Sequence, residues 1–512
     1  MPEGSQAASA TVAAVRLGAD PLTIEDVVAV ARRNAPVALD PAVEPRLRAA
    51  RQAVERAAAS GARIYGLTTG LGAAVDTTLP EGEIVSFQRR AVQARAVAVG
   101  ERLARDEVRA TLLVRLAGLA QGASGISPDI PAALGDMLNR GVHPLARRTG
   151  SLGEADLAPL AGLFLAFAGE GQAELDGDIM PAPLACAKAG ITLPHLHAKD
   201  GIALINANSF SVATGALLLH DTCLALEAGM LAGALSLEAF RANLSVIDPR
   251  VVALRAAPGQ AELSARLRQV LAGSDLLEPG RARRVQDPLS LRCLAPVLGV
   301  AFNRLAGARE AIEADLAGAG DSPAVLPGSG EMLSSVNFDT TAIALGFEAL
   351  GQALAHAGAL ATFRICKLMS ADLSGLPRFL ASRGGSRSGF ATAQKTAAAL
   401  QAEICHLALP VGPMTAPVAD GVEDYAPMTP RVVGKTRALV EHFTILTAIE
   451  LVVAAAAADQ RSDVRLGQGT VMARRAVRDR VSSFDDDRST GEDFMVVAAA
   501  IREGAFADAA TS

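Results

Sequence analysis

Gly150-Ser151-Leu152-Gly153-Glu154-Ala155-Asp156-Leu157-Ala158-Pro159-Leu160 is the stretch that decides how this chain folds, and small apolar residues continue from it to Glu170-Gly171. That texture is general. Hydrophobic residues make up 50% of the 512 positions, yet aromatic residues only 3%, with no Trp and two Tyr. The core must therefore be built from Ala, Leu and Val. Such richness favours helices, because Ala loses no side-chain entropy on ordering and Leu loses little.

The bulk composition excludes several classes. A net charge of −6 argues against an electrostatic nucleic-acid binder. The cysteines, Cys186, Cys223, Cys293, Cys366 and Cys405, are scattered and odd in number, which reads as reduced thiols in a cytoplasmic protein. The first residues lack the basic and apolar blocks of a signal peptide. Residues 1–20 are expected to be a disordered leader ahead of a single body over 21–512 (an active-site region to about 205, a central bundle to about 460, then a helical tail). Apolar runs such as Leu451 to Ala458 fall short of a membrane span, so no membrane is expected. Asp485-Asp486-Asp487 has no metal-ligand spacing, and no metal is expected.

Working outward, Ala123-Ser124-Gly125 precedes Ile126-Ser127-Pro128 and reads as a turn into a helix, with Ser127 capping and Pro128 near its first position. On the other side lies Lys199-Asp200-Gly201-Ile202-Ala203-Leu204-Ile205-Asn206-Ala207-Asn208, which taken alone could be a buried helix end. Ser86 to Gly100 reads as a helix. Its Arg95 is either an exposed helix arginine or, among Ala94, Ala96, Val97 and Ala98, a cation that needs a partner. Arg292, within Gln286-Asp287-Pro288-Leu289-Ser290-Leu291-Arg292-Cys293, has the guanidinium fork that meets a carboxylate with two parallel bonds. Further out, Tyr65-Gly66-Leu67-Thr68-Thr69-Gly70-Leu71-Gly72 is glycine-rich but lacks a phosphate-cradling pattern. Ser334-Ser335-Val336-Asn337-Phe338-Asp339, Gln394-Lys395-Thr396-Ala397-Ala398-Ala399-Leu400 and Val422-Glu423-Asp424-Tyr425 complete the set. Lys395 either snorkels to water or faces a site. Thr23 with Glu25-Asp26 marks a helix start within a periodic segment reaching about Ala59. Ser209 to Ser245 and Ala295 to Ala317 are helical and apolar nearly all round, as in a buried bundle or a subunit interface.

In order, these motifs resemble those of the histidine and aromatic amino-acid ammonia-lyase family. The opening stretch is similar to G-S-V-G-A-S-G-D-L-A-P-L, with Glu154-Ala155 in place of the Ala-Ser-Gly triplet and one residue fewer. Tyr65 to Gly72 resembles Y-G-x-N-T-G-F-G, and the segment ending in Asn208 resembles K-E-G-L-A-L-I-N-G-T. Leu289 replaces the tyrosine of Q-D-x-Y-S-x-R-C, Ser335 and Val336 replace glycines of S-G-G-N-F-H, and Lys395 stands where Q-x-T-A-A-A-L is apolar. Q-E-D-H has become Val422-Glu423-Asp424-Tyr425.

The resemblance implies a mainly α fold with a long central helical bundle and minor short strands near the N-terminus. It also implies a homotetramer whose active sites draw on three subunits, and C–N lyase chemistry. It makes Tyr65 the catalytic base, with Arg292 and Asn206 on the substrate carboxylate and Glu423 on an imidazole N–H. Arg95 and Lys395 would face the ring, and Gln286 and Phe338 would be further substrate contacts. The family's electrophile needs a serine that dehydrates and a glycine amide that cyclises, and Glu154-Ala155 supply neither. No cofactor is therefore expected, and the leaving group must already be activated. A trimethylammonium group meets that requirement, because it departs as neutral trimethylamine. The expected small-molecule partner is an imidazole-containing betaine, ergothioneine or hercynine, with Glu154 facing its quaternary nitrogen. The alternatives are another imidazole or aryl acid, or an inactive member with a binding role.

Overall fold

Thr23 opens the first helix. Its Oγ1 accepts the Asp26 N–H at 3.1 Å, and the Asp26 carboxylate accepts the Thr23 N–H at 3.1 Å, a reciprocal cap that satisfies two otherwise orphaned donors. The helix, Ile24–Arg33, ends at Asn34 in the left-handed region (φ 54). Val37–Leu39 then pairs in parallel with Val15–Leu17, so the periodic segment to Ala59 divides into Ile24–Arg33 and Val43–Ala59. This computed structural model describes residues 13–413 and 416–511. Of the leader expected over 1–20, residues 1–12 lie outside the described residues, and Val15–Leu17 form a paired strand instead.

The fold is mainly helical, as expected, and its contacts divide into two units. The first takes residues up to 217 with 310–344 and 411–433. Here Arg105–Ala120 is buried on almost every face. Short strands surround it: Val99–Arg102 pairs with Arg147–Thr149, and His143–Pro144, Gln172–Leu175 and Asp178–Pro181 form an antiparallel sheet. A further pair, Ala324–Val325 with Met332–Leu333, comes late in the sequence and packs against the helix Val43–Ala59. The helix expected over Ser86 to Gly100 is Ile84–Arg95. It stops early because the β-branched Val97 and Val99, with Gly100 at φ 83, favour the strand that follows.

The second unit comprises 218–309, 345–410 and 434–512. It holds most of the residues of the long helices Ser209–Phe240, Leu294–Ala317, Thr341–Leu368 and Thr429–Asp459. Buried Glu450 accepts from Arg364 Nε at 2.6 Å, Arg364 Nη2 at 2.8 Å and Ser236 Oγ at 2.8 Å, joining three helices. A buried carboxylate is tolerated because its lone pairs are taken up this way. Three apolar helical segments, Asp200–Phe240, Thr341–Leu368 and Thr429–Asp459, are long and apolar enough by composition to cross a membrane, although no uninterrupted apolar run in the sequence suggested it. The first is wholly buried inside the protein, Thr429–Asp459 is 78% buried and Thr341–Leu368 56%.

Candidate active site

A cavity of about 700 Å³ opens within the first unit, lined by Tyr65, Arg95, Glu154, Asn206, Phe338 and Glu423. Local bonds place each of them. The Ile64 carbonyl accepts the N–H groups of Leu67, Thr68 and Thr69, which folds the loop over Tyr65. Gly72 N–H then donates to the Tyr65 phenol oxygen at 3.1 Å. Buried Gln88 donates to the Gly66 carbonyl at 2.9 Å and accepts the Ile202 N–H at 3.2 Å. One amide therefore links the Tyr65 loop, the helix ending at Arg95 and the Asp200–Ile205 helix that presents Asn206. At Gly201 the two helices touch by backbone, since a Cβ there would sit 2.1 Å from the Gln88 carbonyl oxygen. Asn206 donates to the Ser322 carbonyl at 2.8 Å.

Burial holds the Arg95 guanidinium below its ordinary value, opposed by attraction to Tyr65 and Glu423. Those three groups thus form one electrostatic cluster. Glu423 is carried by a turn whose N–H and C=O both pair with Val418. Tyr425, given no role from sequence, lines the same cavity and shares a 2.6 Å hydroxyl contact with Thr341.

The opening stretch is pinned from all sides. Ser151 Oγ donates to Asp156 at 2.6 Å, and Ser211 contributes its N–H at 2.8 Å and its hydroxyl at 3.0 Å to the same carboxylate. Thr340 Oγ1 donates to the Gly153 carbonyl at 2.7 Å, and Ala155 N–H donates to Asn208 at 2.9 Å. Asn208 in turn donates to the Phe338 carbonyl. Glu154 forms an isolated antiparallel bridge with Asp339. Burial, followed by its hydrogen bond and repulsion with Asp339, pushes its carboxyl up to about 8. Ala155 sits in the left-handed region at φ 66, where a Cβ costs roughly 1–2 kcal/mol. Ala155→Gly is expected to raise unfolding free energy by about 1 kcal/mol, after the entropy gained by the unfolded chain is subtracted. Denaturant titration of the two proteins checks this, and an unchanged or lower midpoint refutes the strain.

Residues 22–479 match the aromatic amino acid lyase family. The chain belongs to it. It is 36% identical over 492 residues to a histidine ammonia-lyase of Stigmatella aurantiaca, covering 96% of this chain and 96% of that protein. The fold superposes with TM-score 0.91 at 30% identity on ergothionase from Treponema denticola in complex with desmethyl-ergothioneine sulfonic acid, covering 96% of this chain and 99% of that one. Histidine ammonia-lyase from Trypanosoma cruzi superposes with TM-score 0.89 at 27% identity, covering 97% and 95%.

This aromatic amino acid lyase does not bring every expected residue to the cavity. Arg292, Gln286 and Lys395 belong to the second unit. Arg292 Nε donates to the Asp287 carbonyl at 2.7 Å, while Gln286 and Lys395 are exposed. The Ala-Ser-Gly triplet at 123–125 does not line the cavity: Ser124 is buried and its carbonyl takes Lys199 Nζ at 2.6 Å. Ser127 does not cap the Asp129–Asn139 helix, because its hydroxyl donates to buried Asp200 at 2.7 Å. Glu154 lines the cavity in a segment, Gly153-Glu154-Ala155-Asp156, that carries no Ala-Ser-Gly triplet, and neither Glu154 nor Ala155 has a hydroxyl to lose as water. Asp339 was missed from sequence. Its one signal was its position at the end of the Phe338 motif, and its meaning comes only from the bridge to Glu154.

Proposed function

We propose that this lyase eliminates trimethylamine from a histidine betaine, with ergothioneine as the leading substrate and thiourocanate as the product, without the family's electrophilic group. One observation carries this reading: Glu154, in a segment with no Ala-Ser-Gly triplet, lines a cavity together with Tyr65, Arg95, Asn206 and Glu423. The likeness to ergothionase, solved with a desmethyl-ergothioneine derivative, supports it.

Tyr65 removes the β-proton. The electrons of that C–H bond form the Cα–Cβ double bond, and the Cα–N pair departs on trimethylamine. The nitrogen loses its positive charge and needs no protonation. Glu423 takes an imidazole N–H, and Arg95, already coupled to Tyr65 and Glu423, stabilises negative charge developing on the thione sulfur. Asn206 orients the carboxylate. Arg292, Gln286 and Lys395 complete the site from neighbouring subunits of a homotetramer, a reading supported by the exposed apolar Val285 (93%) and Leu289 (62%) beside them. The five free thiols suit a reducing cytoplasm.

Purified protein incubated with ergothioneine, hercynine and histidine in parallel is expected to release trimethylamine from a betaine and no ammonia from histidine. Intact mass is expected to match the unmodified chain. Histidine deamination, or a mass reduced by loss of water, overturns the reading. The histidine ammonia-lyase relatives make histidine the alternative substrate, and the same assay decides between them.

A further inference from the structure

We propose that Glu154 and Asp339 together form the subsite for the substrate's quaternary ammonium, and that its entry expels one proton from this carboxyl pair. The inference rests on the betaine reading and adds a residue and a charge-coupled step to it.

The two residues are held together by backbone before any ligand arrives, through the bridge between Glu154 and Asp339. Asp339 is fixed on its other side, accepting the Thr341 N–H at 3.1 Å and the Thr341 hydroxyl at 2.9 Å. Residues paired across an antiparallel bridge put their side chains on the same face, so the two carboxyl groups are neighbours, with exposed Asp339 following Phe338, which lines the cavity together with Glu154. Two carboxylates placed that close disfavour joint ionisation, which favours one proton on the pair. The other Glu154 oxygen, Oε1, is buried without a hydrogen-bond partner. Its remaining compensation is charge.

The protein's cations at this cavity are committed elsewhere. Arg95 is coupled to Tyr65 and Glu423, and Arg63 donates to Asp76 at 3.1 Å and to its carbonyl at 2.7 Å. Other acids crowd the pair. Asp156 lies two residues along the chain from Glu154, and Asp315 is itself pushed up to about 7 by burial, then Asp339 and Asp156. Asp424 and Tyr425 lie on the same cavity wall as Glu423. Among the described residues the wall at Glu154 is acidic, and the two arginines that line the cavity, Arg63 and Arg95, are engaged by Asp76 and by Tyr65 and Glu423. A quaternary ammonium cannot donate a hydrogen bond, so it supplies charge to Oε1 without competing for the bonds around Asp339.

The sign follows directly. A cation favours the ionised carboxylate, so binding below the empty-site value of about 8 must displace the proton. Affinity is then expected to rise nearly tenfold per pH unit up to that value and level off above it. When the Cα–N bond breaks, its electron pair leaves on neutral trimethylamine. The carboxyl pair has lost its counter-ion, takes back a proton, and loosens its hold on the leaving group.

The test uses the Tyr65→Phe protein, which is expected to bind ergothioneine while turning it over roughly 10²–10⁴-fold more slowly, titrated calorimetrically in buffers of different ionisation enthalpy. Close to one proton is expected to be released per ergothioneine bound. In Tyr65→Phe/Glu154→Gln, release is expected to vanish and affinity to fall roughly thirtyfold or more, while Asp315→Asn on the same background keeps the release. Binding without proton release, or release unchanged by Glu154→Gln, overturns the proposal while turnover of ergothioneine by the unmodified enzyme keeps the betaine reading. If the unmodified enzyme neither binds nor turns over a betaine, both fall.

Discussion

Tyr65→Phe is expected to lower turnover by roughly 10²–10⁴-fold, the usual contribution of a positioned general base, while substrate affinity changes little. The expectation comes from how little else the phenol does. Its oxygen takes a single N–H, from Gly72, and the loop that carries it is held independently by Thr68, whose hydroxyl donates to the Ala62 carbonyl at 2.6 Å and accepts the Ile64 N–H at 2.8 Å. Removing the oxygen should therefore leave the cavity standing. Single-turnover measurements with ergothioneine separate kcat from KM. A fall confined to KM, or turnover within a few-fold of the unmodified enzyme, would show that the β-proton leaves by another route.

The second large effect concerns stability. Arg115 and Asp321 form an ion pair at 2.7 Å with both side chains essentially removed from water. Arg115 also donates to the Ala203 carbonyl at 3.1 Å, inside the helix that ends at Asn206. Lys199 is fully buried close by. Burial lowers its ammonium to about 8, and attraction to Asp321 is the largest influence opposing that fall. Asp321→Asn would leave both cations short of their carboxylate. Breaking a buried pair by deleting one partner costs about 3–5 kcal/mol, so denaturant midpoints should shift accordingly. Because Ser322, the next residue, accepts from Asn206, weaker substrate binding should accompany the loss. A cost below about 1 kcal/mol would mean that water reaches the pair.

The site was legible in the sequence wherever its residues are placed by their own neighbourhoods. Tyr65 lies in a glycine-rich turn, Asn206 at a helix end, and Glu154 in a segment whose side-chain and backbone bonds keep it at the wall. Arg95 was identified, but its helix was drawn too long, because an Ala-Val run reads alike as the end of a helix or the start of a strand. Ser127 looked like a cap until Asp200, distant in sequence, claimed its hydroxyl. Asp339 and Asp315 stayed hidden for the same reason: each owes its unusual environment to a residue far along the chain. The helical class followed from the Ala- and Leu-rich composition together with the family resemblance, whereas the division of contacts into two units, with Tyr65 in the first and Arg292 and Lys395 in the second, follows from tertiary packing that no local pattern encodes.

The backbone contact between Gly201 and Gln88 bears on how such a lyase acquires a new substrate. Because main chain meets main chain there, the spacing of the elements bearing Arg95 and Asn206 is set by backbone contact rather than by the side chains at the cavity. The frame is a constant, and the groups mounted on it are the variables. On the proposed mechanism, changes at positions 154 and 155 would trade one leaving group for another while Tyr65 keeps its place. New activities should arise here by exchanging fittings on a rigid jig, and Gly201→Ala should be far harder to accommodate than changes at residues that touch substrate.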